Sequence, residues 1–122
     1  MKILAIDHVQ LAMPAGEEEK ARAFYGSFLG LTEIDKPAEL AKRGGAWFQT
    51  GKVVLHLGVE VDFRPNRKAH PALVVDGLDG FLDACLAHGV EVDTTQPALA
   101  GYKRAHVFDP FGNRIELMEK LA

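Results

Sequence analysis

Only one cysteine, Cys85, occurs in the 122 residues, so no intrachain disulfide can form and a reducing compartment suits the chain. Long apolar runs are missing as well. No window approaches the ~18 uninterrupted apolar residues of a membrane span, which argues against a membrane protein. The opening stretch MKILAIDHVQLAM is interrupted by Asp7, His8 and Gln10 and has no small-residue cleavage site, so no signal peptide is expected. Basic residues are scattered, the net charge is -3, and no cationic stripe with interleaved aromatics exists, so nucleic acid lacks an electrostatic footprint. What remains is 48% hydrophobic and 25% charged, the balance of a soluble globular protein. The expectation is one cytoplasmic domain over residues 1–122, without nucleic-acid or membrane partners.

The hydrophobic pattern runs twice through the same order. Residues 5–13 predict a strand, and 17–29 a helix with Ala21, Phe24, Tyr25, Phe28 and Leu29 on one stripe and Gly30 just past its end. A short strand over 31–36 follows, then a segment of uncertain form from Pro37. A hairpin of 46–50 and 53–60 turns at Gly51-Lys52. After the polar connector 61–69, the pattern repeats as strand 70–76, helix 78–88 ending at Gly89, and strands 90–94, 103–108 and 114–119. Sliding the chain by 62 residues lays His8 over His70, and sliding it by 60 lays His56 over Glu116. The predicted fold is α+β, two tandem βαβββ modules of about 1–61 and about 69–120. Together they should form a curved mixed sheet around a cavity.

Side chains alternate across a strand, which sorts each strand into two faces. Val9, Leu11 and Met13 oppose His8 and Gln10; Leu55 and Leu57 oppose His56; Leu73 and Val75 oppose His70; Ile115 and Leu117 oppose Glu116. Four times a strong ligand type lies away from the apolar run, at positions matched between the halves. Three imidazoles and one carboxylate suit Zn, Ni, Co, Mn or Fe(II), so His8, His56, His70 and Glu116 are the candidate metal ligands. A lone histidine on a half-buried strand is more often a hydrogen-bonded bystander, and Glu116 alone could pair with Arg114 or Lys120; the symmetry of the four argues for a common role. His88 lies in the last turn of a helix, where it suits the helix dipole. Arg104 and His106 share one strand face and, with Gln10, are candidate substrate contacts. Trp47 and Gln49 are weaker candidates, and Arg64, Arg67 and Lys68 suit a solvated loop.

Three segments carry a family resemblance: Asp7-His8-Val9, the helix end Phe24-Tyr25-Gly26-Ser27-Phe28-Leu29-Gly30-Leu31, and Asp109-Pro110-Phe111-Gly112-Asn113-Arg114-Ile115-Glu116-Leu117. With them the chain resembles the vicinal oxygen chelate superfamily of glyoxalases, bleomycin resistance proteins and dioxygenases. The resemblance implies paired βαβββ modules and commonly a homodimer with metal sites at the subunit interface; whether modules pair within one chain or across two stays open. It places His8, His70 and Glu116 on shared ligand positions and His56 on the fourth ligand position of glyoxalase I and the epimerases. A histidine there departs from the usual glyoxalase set.

The implied activity is a divalent-metal-dependent lyase or isomerase of the glyoxalase type, acting on a small carbonyl compound through a metal-stabilised enolate. Glu116 is the expected base, with His56 as partner base or ligand. A thiol transferase resembling fosfomycin-resistance enzymes, an extradiol-type dioxygenase and a non-catalytic binding protein of the same fold are the alternatives. The first would need a potassium loop and phosphonate pocket that the sequence does not display, and the second would be crowded by a fourth ligand at His56. Fold analogy cannot choose the substrate.

Overall fold

One topology occurs twice in the computed structural model, which describes residues 1–122 and divides into the units Met1–Arg64 and Pro65–Ala122. The first unit contains β1 (Val9–Met13), α1 (Glu18–Ala21) running into a π-helical stretch (Arg22–Phe28), β2 (Thr32–Ile34), α2 (Ala38–Ala41), β3 (Ala46–Thr50) and β4 (Val53–Val59). The second contains β5 (Ala72–Val74), α3 (Leu78–His88), β6 (Val92–Asp93), β7 (Tyr102–Phe108) and β8 (Arg114–Lys120). The strand orders, β1-β4-β3-β2 and β5-β8-β7-β6, are the same order repeated. In both sheets the first and last strands pair in parallel and the other neighbours pair antiparallel. The α+β fold of paired βαβββ modules is therefore as the sequence predicts.

Alternation decides which face of each sheet is dry. In the first unit Leu11, Met13, Ala46, Phe48, Leu55 and Leu57 are buried together with Ala21, Phe24 and Tyr25, and the Tyr25 ring lies 5.7 Å from Phe48. In the second unit Ala105, Val107, Ile115 and Leu117 are buried with Leu78 and Cys85 of α3. Each large side chain so buried contributes about 1.5–3 kcal/mol. The opposite faces are left for polar chemistry.

Boundaries shift where pairing or hydrogen bonding differs from the periodic pattern. The strand expected over 5–13 begins at Val9, the first residue that pairs with β4, opposite Leu55. The helix expected over 17–29 forms, but widens after Ala21, with Leu29 N–H donating to the Phe24 carbonyl five residues back. The undecided segment after Pro37 is the single turn α2. Helix α3 ends at Gly89, whose φ of 70° supplies the left-handed cap, with Val90 N–H closing onto Cys85 O at 2.9 Å.

The turn from β7 to β8 fixes the register that matters most. Buried Asp109 accepts hydrogen bonds at Oδ1 from the Phe111 and Asn113 N–H groups, at 2.9 and 2.8 Å, and at Oδ2 from Asn113 Nδ2 at 3.0 Å. Asn113 Oδ1 in turn accepts from Asn66 N–H. With Phe108 paired to Arg114, His106 falls opposite Glu116 and Arg104 opposite Met118. The final strand β8 lies inside its sheet, between β5 and β7, so Glu116 is not a solvated edge residue.

Candidate metal centre

On the polar face of the second unit, Glu116 on β8 is flanked by β7 and by the approach to β5. His70 precedes β5; its Nε2 lies 3.0 Å from Glu116 Oε1, and its Nδ1–H donates to the Lys68 carbonyl at 2.7 Å. His106 on β7 brings Nε2 to 3.4 Å from the same Oε1 and is 2% exposed. One donor atom from each of His70, His106 and Glu116 falls within a 4.8 Å span. Metal bonds of about 2.0–2.2 Å separate ligand atoms by roughly 3–4.4 Å, so small side-chain rotations would close the set. The rings of His70 and His106 meet edge to face, at 80°, with planes set to converge and not to stack.

The other carboxylate oxygen, Oε2, receives Arg104 Nη1 at 3.3 Å, and Arg104 also donates Nη2 to the Pro97 carbonyl. Burial pushes the Glu116 carboxyl upward, but hydrogen bonds from His70 and Arg104 and the Arg104 charge outweigh it, holding the group below the usual glutamate range. Glu116 is thus an ionised, oriented carboxylate with one oxygen turned to two imidazoles. Burial and the neighbouring Arg114 charge lower His106, so its ring is neutral and able to ligate. His106 Nδ1 and Arg104 Nε are buried without a hydrogen-bond partner. Such spare polar capacity is uncommon in an inert core.

The first unit places its expected residues in one row. Register sets Gln10 and Trp47 on either side of His56. The His56 ring is sandwiched, 3.9 Å from Trp47 at 5° and 4.0 Å from His8 at 17°. A metal lies in the plane of an imidazole that binds it, so two nearly parallel rings do not aim at one ion as they stand. His8 precedes β1, and its Nδ1 lies 2.8 Å from Asp7 Oδ2. Burial, then the His8 charge, lower the pKa of His56 and keep it neutral. The Gln10 amide lies over Gly58, where a Cβ would come within 2.6 Å of its Nε2.

The structure therefore brings His70 together with Glu116, and His8 together with His56, each pair inside its own unit. It adds His106, expected as a substrate contact, to the donor cluster, and turns Arg104 onto the carboxylate. Gln10 stands beside His56. His88 bonds the Ala84 carbonyl at the end of α3, as its structural reading requires. Two cationic residues went unnoticed in the sequence, Lys36 and Arg43, which line a cavity of about 360 Å³ in the first unit with His8, Gln10, Trp47 and His56. Their signal is weak, since lysine and arginine near a proline-led segment look like ordinary surface.

Comparison with known structures agrees with this architecture. A protein assigned to the glyoxalase family from Bacillus anthracis is 50% identical, with a TM-score of 0.91 over 99% of this chain and 98% of that one. The fosfomycin resistance protein FosX from Listeria monocytogenes shares the fold at 17% identity, with a TM-score of 0.81 over 98% and 94% of the two chains. A glyoxalase/dioxygenase from Nostoc punctiforme does so at 24% identity, with a TM-score of 0.72 over 100% and 99%. Among proteins of curated function, none matches. The model of the Glyoxalase/Bleomycin resistance protein/Dioxygenase superfamily matches residues 5–117, and the chain belongs to that superfamily.

Proposed function

We propose that this chain is a divalent-metal-dependent enzyme of the glyoxalase type, a lyase or isomerase acting on a small carbonyl compound. The carrying observation is the His70 ring. Its Nδ1–H donates to the Lys68 carbonyl, and its Nε2 lies 3.0 Å from Glu116 Oε1. With His106 Nε2 3.4 Å from the same oxygen, one donor atom from each of the three residues falls within 4.8 Å, and an Nδ1–H bonded to a backbone carbonyl is the usual way a ligating histidine is oriented. His106 supplies the third donor in our reading.

A divalent ion held there would stabilise negative charge on a substrate carbonyl oxygen. Glu116, kept ionised, accepts a proton from the carbon beside that carbonyl, while Arg104 holds its second oxygen and so its orientation. General base help of this kind contributes roughly 10²–10⁴-fold.

Elemental analysis of the purified protein is expected to find a stoichiometric divalent metal, lost in His70→Ala and Glu116→Ala and kept in His88→Ala. Full metal content in both of the first two variants would sink the reading. With the resident metal known, turnover of 2-oxoaldehyde–thiol adducts, abolished in Glu116→Gln, tests the chemistry.

A further inference from the structure

The cavity in the first unit is walled unevenly in charge. Lys36 and Arg43 are its two permanent cations, His8 and His56 its imidazoles, and no aspartate or glutamate lines it. Other cations around α1 and α2 are neutralised: Lys20 by Glu17, Arg22 by Glu19 and Glu33, Lys42 by Glu39. Lys36 instead donates only to the Gly44 carbonyl, over the Trp47 ring at 5.8 Å, and Arg43 forms no ion pair. Glu18 comes to the Gly44 edge, 3.9 Å from where a Cβ would sit, yet pairs with neither. Two uncompensated cations at one concavity create a positive field that wall geometry concentrates.

The rest of the wall is apolar or flat. Leu40, Val59 and the stacked Trp47 and His56 rings border an open concavity of about 360 Å³, a volume within the range of small-molecule pockets, roughly 300–1,000 Å³.

We propose that this cavity binds a small organic anion, its carboxylate or phosphate held by Lys36 and Arg43 and its apolar body lodged against Trp47 and Leu40. The site needs no metal and is made wholly by residues of the first unit, so it stands or falls separately from the donor cluster around Glu116. In an enzyme of the proposed type it would select carbonyl substrates that carry an acid group.

Trp47 is the only tryptophan, so a ¹⁵N-labelled sample shows one indole N–H resonance, seated in the cavity wall. The probes are 4-methyl-2-oxopentanoate, its methyl ester, isobutyl phosphate and inorganic phosphate, titrated into chelator-treated protein. The 2-oxo acid is expected to shift the indole resonance saturably, and the ester to bind at least tenfold more weakly. Lys36→Gln and Arg43→Gln should each weaken the acid tenfold or more, since a hydrogen bond to a charged group contributes about 1.5–3 kcal/mol. Isobutyl phosphate against the acid tells which head group fits, and weaker binding of inorganic phosphate confirms that the apolar body counts.

Equal binding of acid and ester, unchanged affinity in both variants, or no saturable shift with any organic anion overturns the inference. Repeating the titration on Glu116→Gln separates the two proposals: binding retained there supports the cavity even if the metal reading fails.

Discussion

A carboxylate that is 7% exposed, as Glu116 is, stays ionised only if its neighbours hold it so. Here burial works against ionisation, and the His70 and Arg104 hydrogen bonds with the Arg104 charge overcome it. A carboxyl depressed in the folded state contributes stability above its ordinary value and loses that contribution as pH falls through the folded value. Metal-stripped protein should therefore lose stability on acidification below about pH 4.5, with a shallower acid slope in Glu116→Gln. Replacing Arg104 by methionine keeps the volume but removes a hydrogen bond and a positive charge. In Arg104→Met the Glu116 carboxyl should titrate at higher pH than in the parent, as followed by its ¹³C carboxyl resonance. An unchanged titration would mean that Arg104 does not set the charge state of Glu116.

Elements place these residues by counting. A hairpin closed at Gly51-Lys52 sets Trp47 opposite His56, and one closed over Asp109–Asn113 sets His106 opposite Glu116. Both pairings were within reach of the sequence, because strand alternation and turn chemistry are local rules. The repeat and the α3 helix with its glycine end were legible for the same reason. The stack of His8 on His56 and the turning of Arg104 toward Glu116 were not, since ring planes and rotamers depend on what packs around them. The cationic cavity was hidden because nothing in a local pattern says which surface cations lack a carboxylate.

The β7–β8 turn is the element whose failure would show most plainly. Asp109→Ala strips acceptors from the buried Phe111 and Asn113 N–H groups and from the Asn113 amide. Each buried donor left unmet costs about 1–3 kcal/mol, so a loss on the order of 3 kcal/mol is expected in denaturant unfolding. If the folded variant survives, its metal content should fall too, because His106 and Glu116 owe their opposition to that turn. A stability change below about 1 kcal/mol would show that water or a neighbour replaces the lost acceptor.

At the scale of the whole molecule, each sheet has an edge that its own unit does not cover. Strands β1 and β5 each pair on one side only within their units, and short β5 exposes Val74 at 61%. Ahead of β1, Ile3, Leu4 and Ile6 are each more than 80% exposed. Unpaired strand edges and large exposed aliphatics present surface that another chain can cover, and we propose a second copy of this one. Sedimentation is thus expected to give twice the 13.3 kDa chain mass at micromolar concentration. Burying one isoleucine contributes about 1.5–3 kcal/mol, so Ile3→Ser or Ile6→Ser should weaken the dimer about tenfold or more without unfolding the monomer. A parent protein that sediments as a monomer would rule out the dimer. A dimer indifferent to both substitutions would instead move the interface away from the residues ahead of β1 and onto the strand edges themselves.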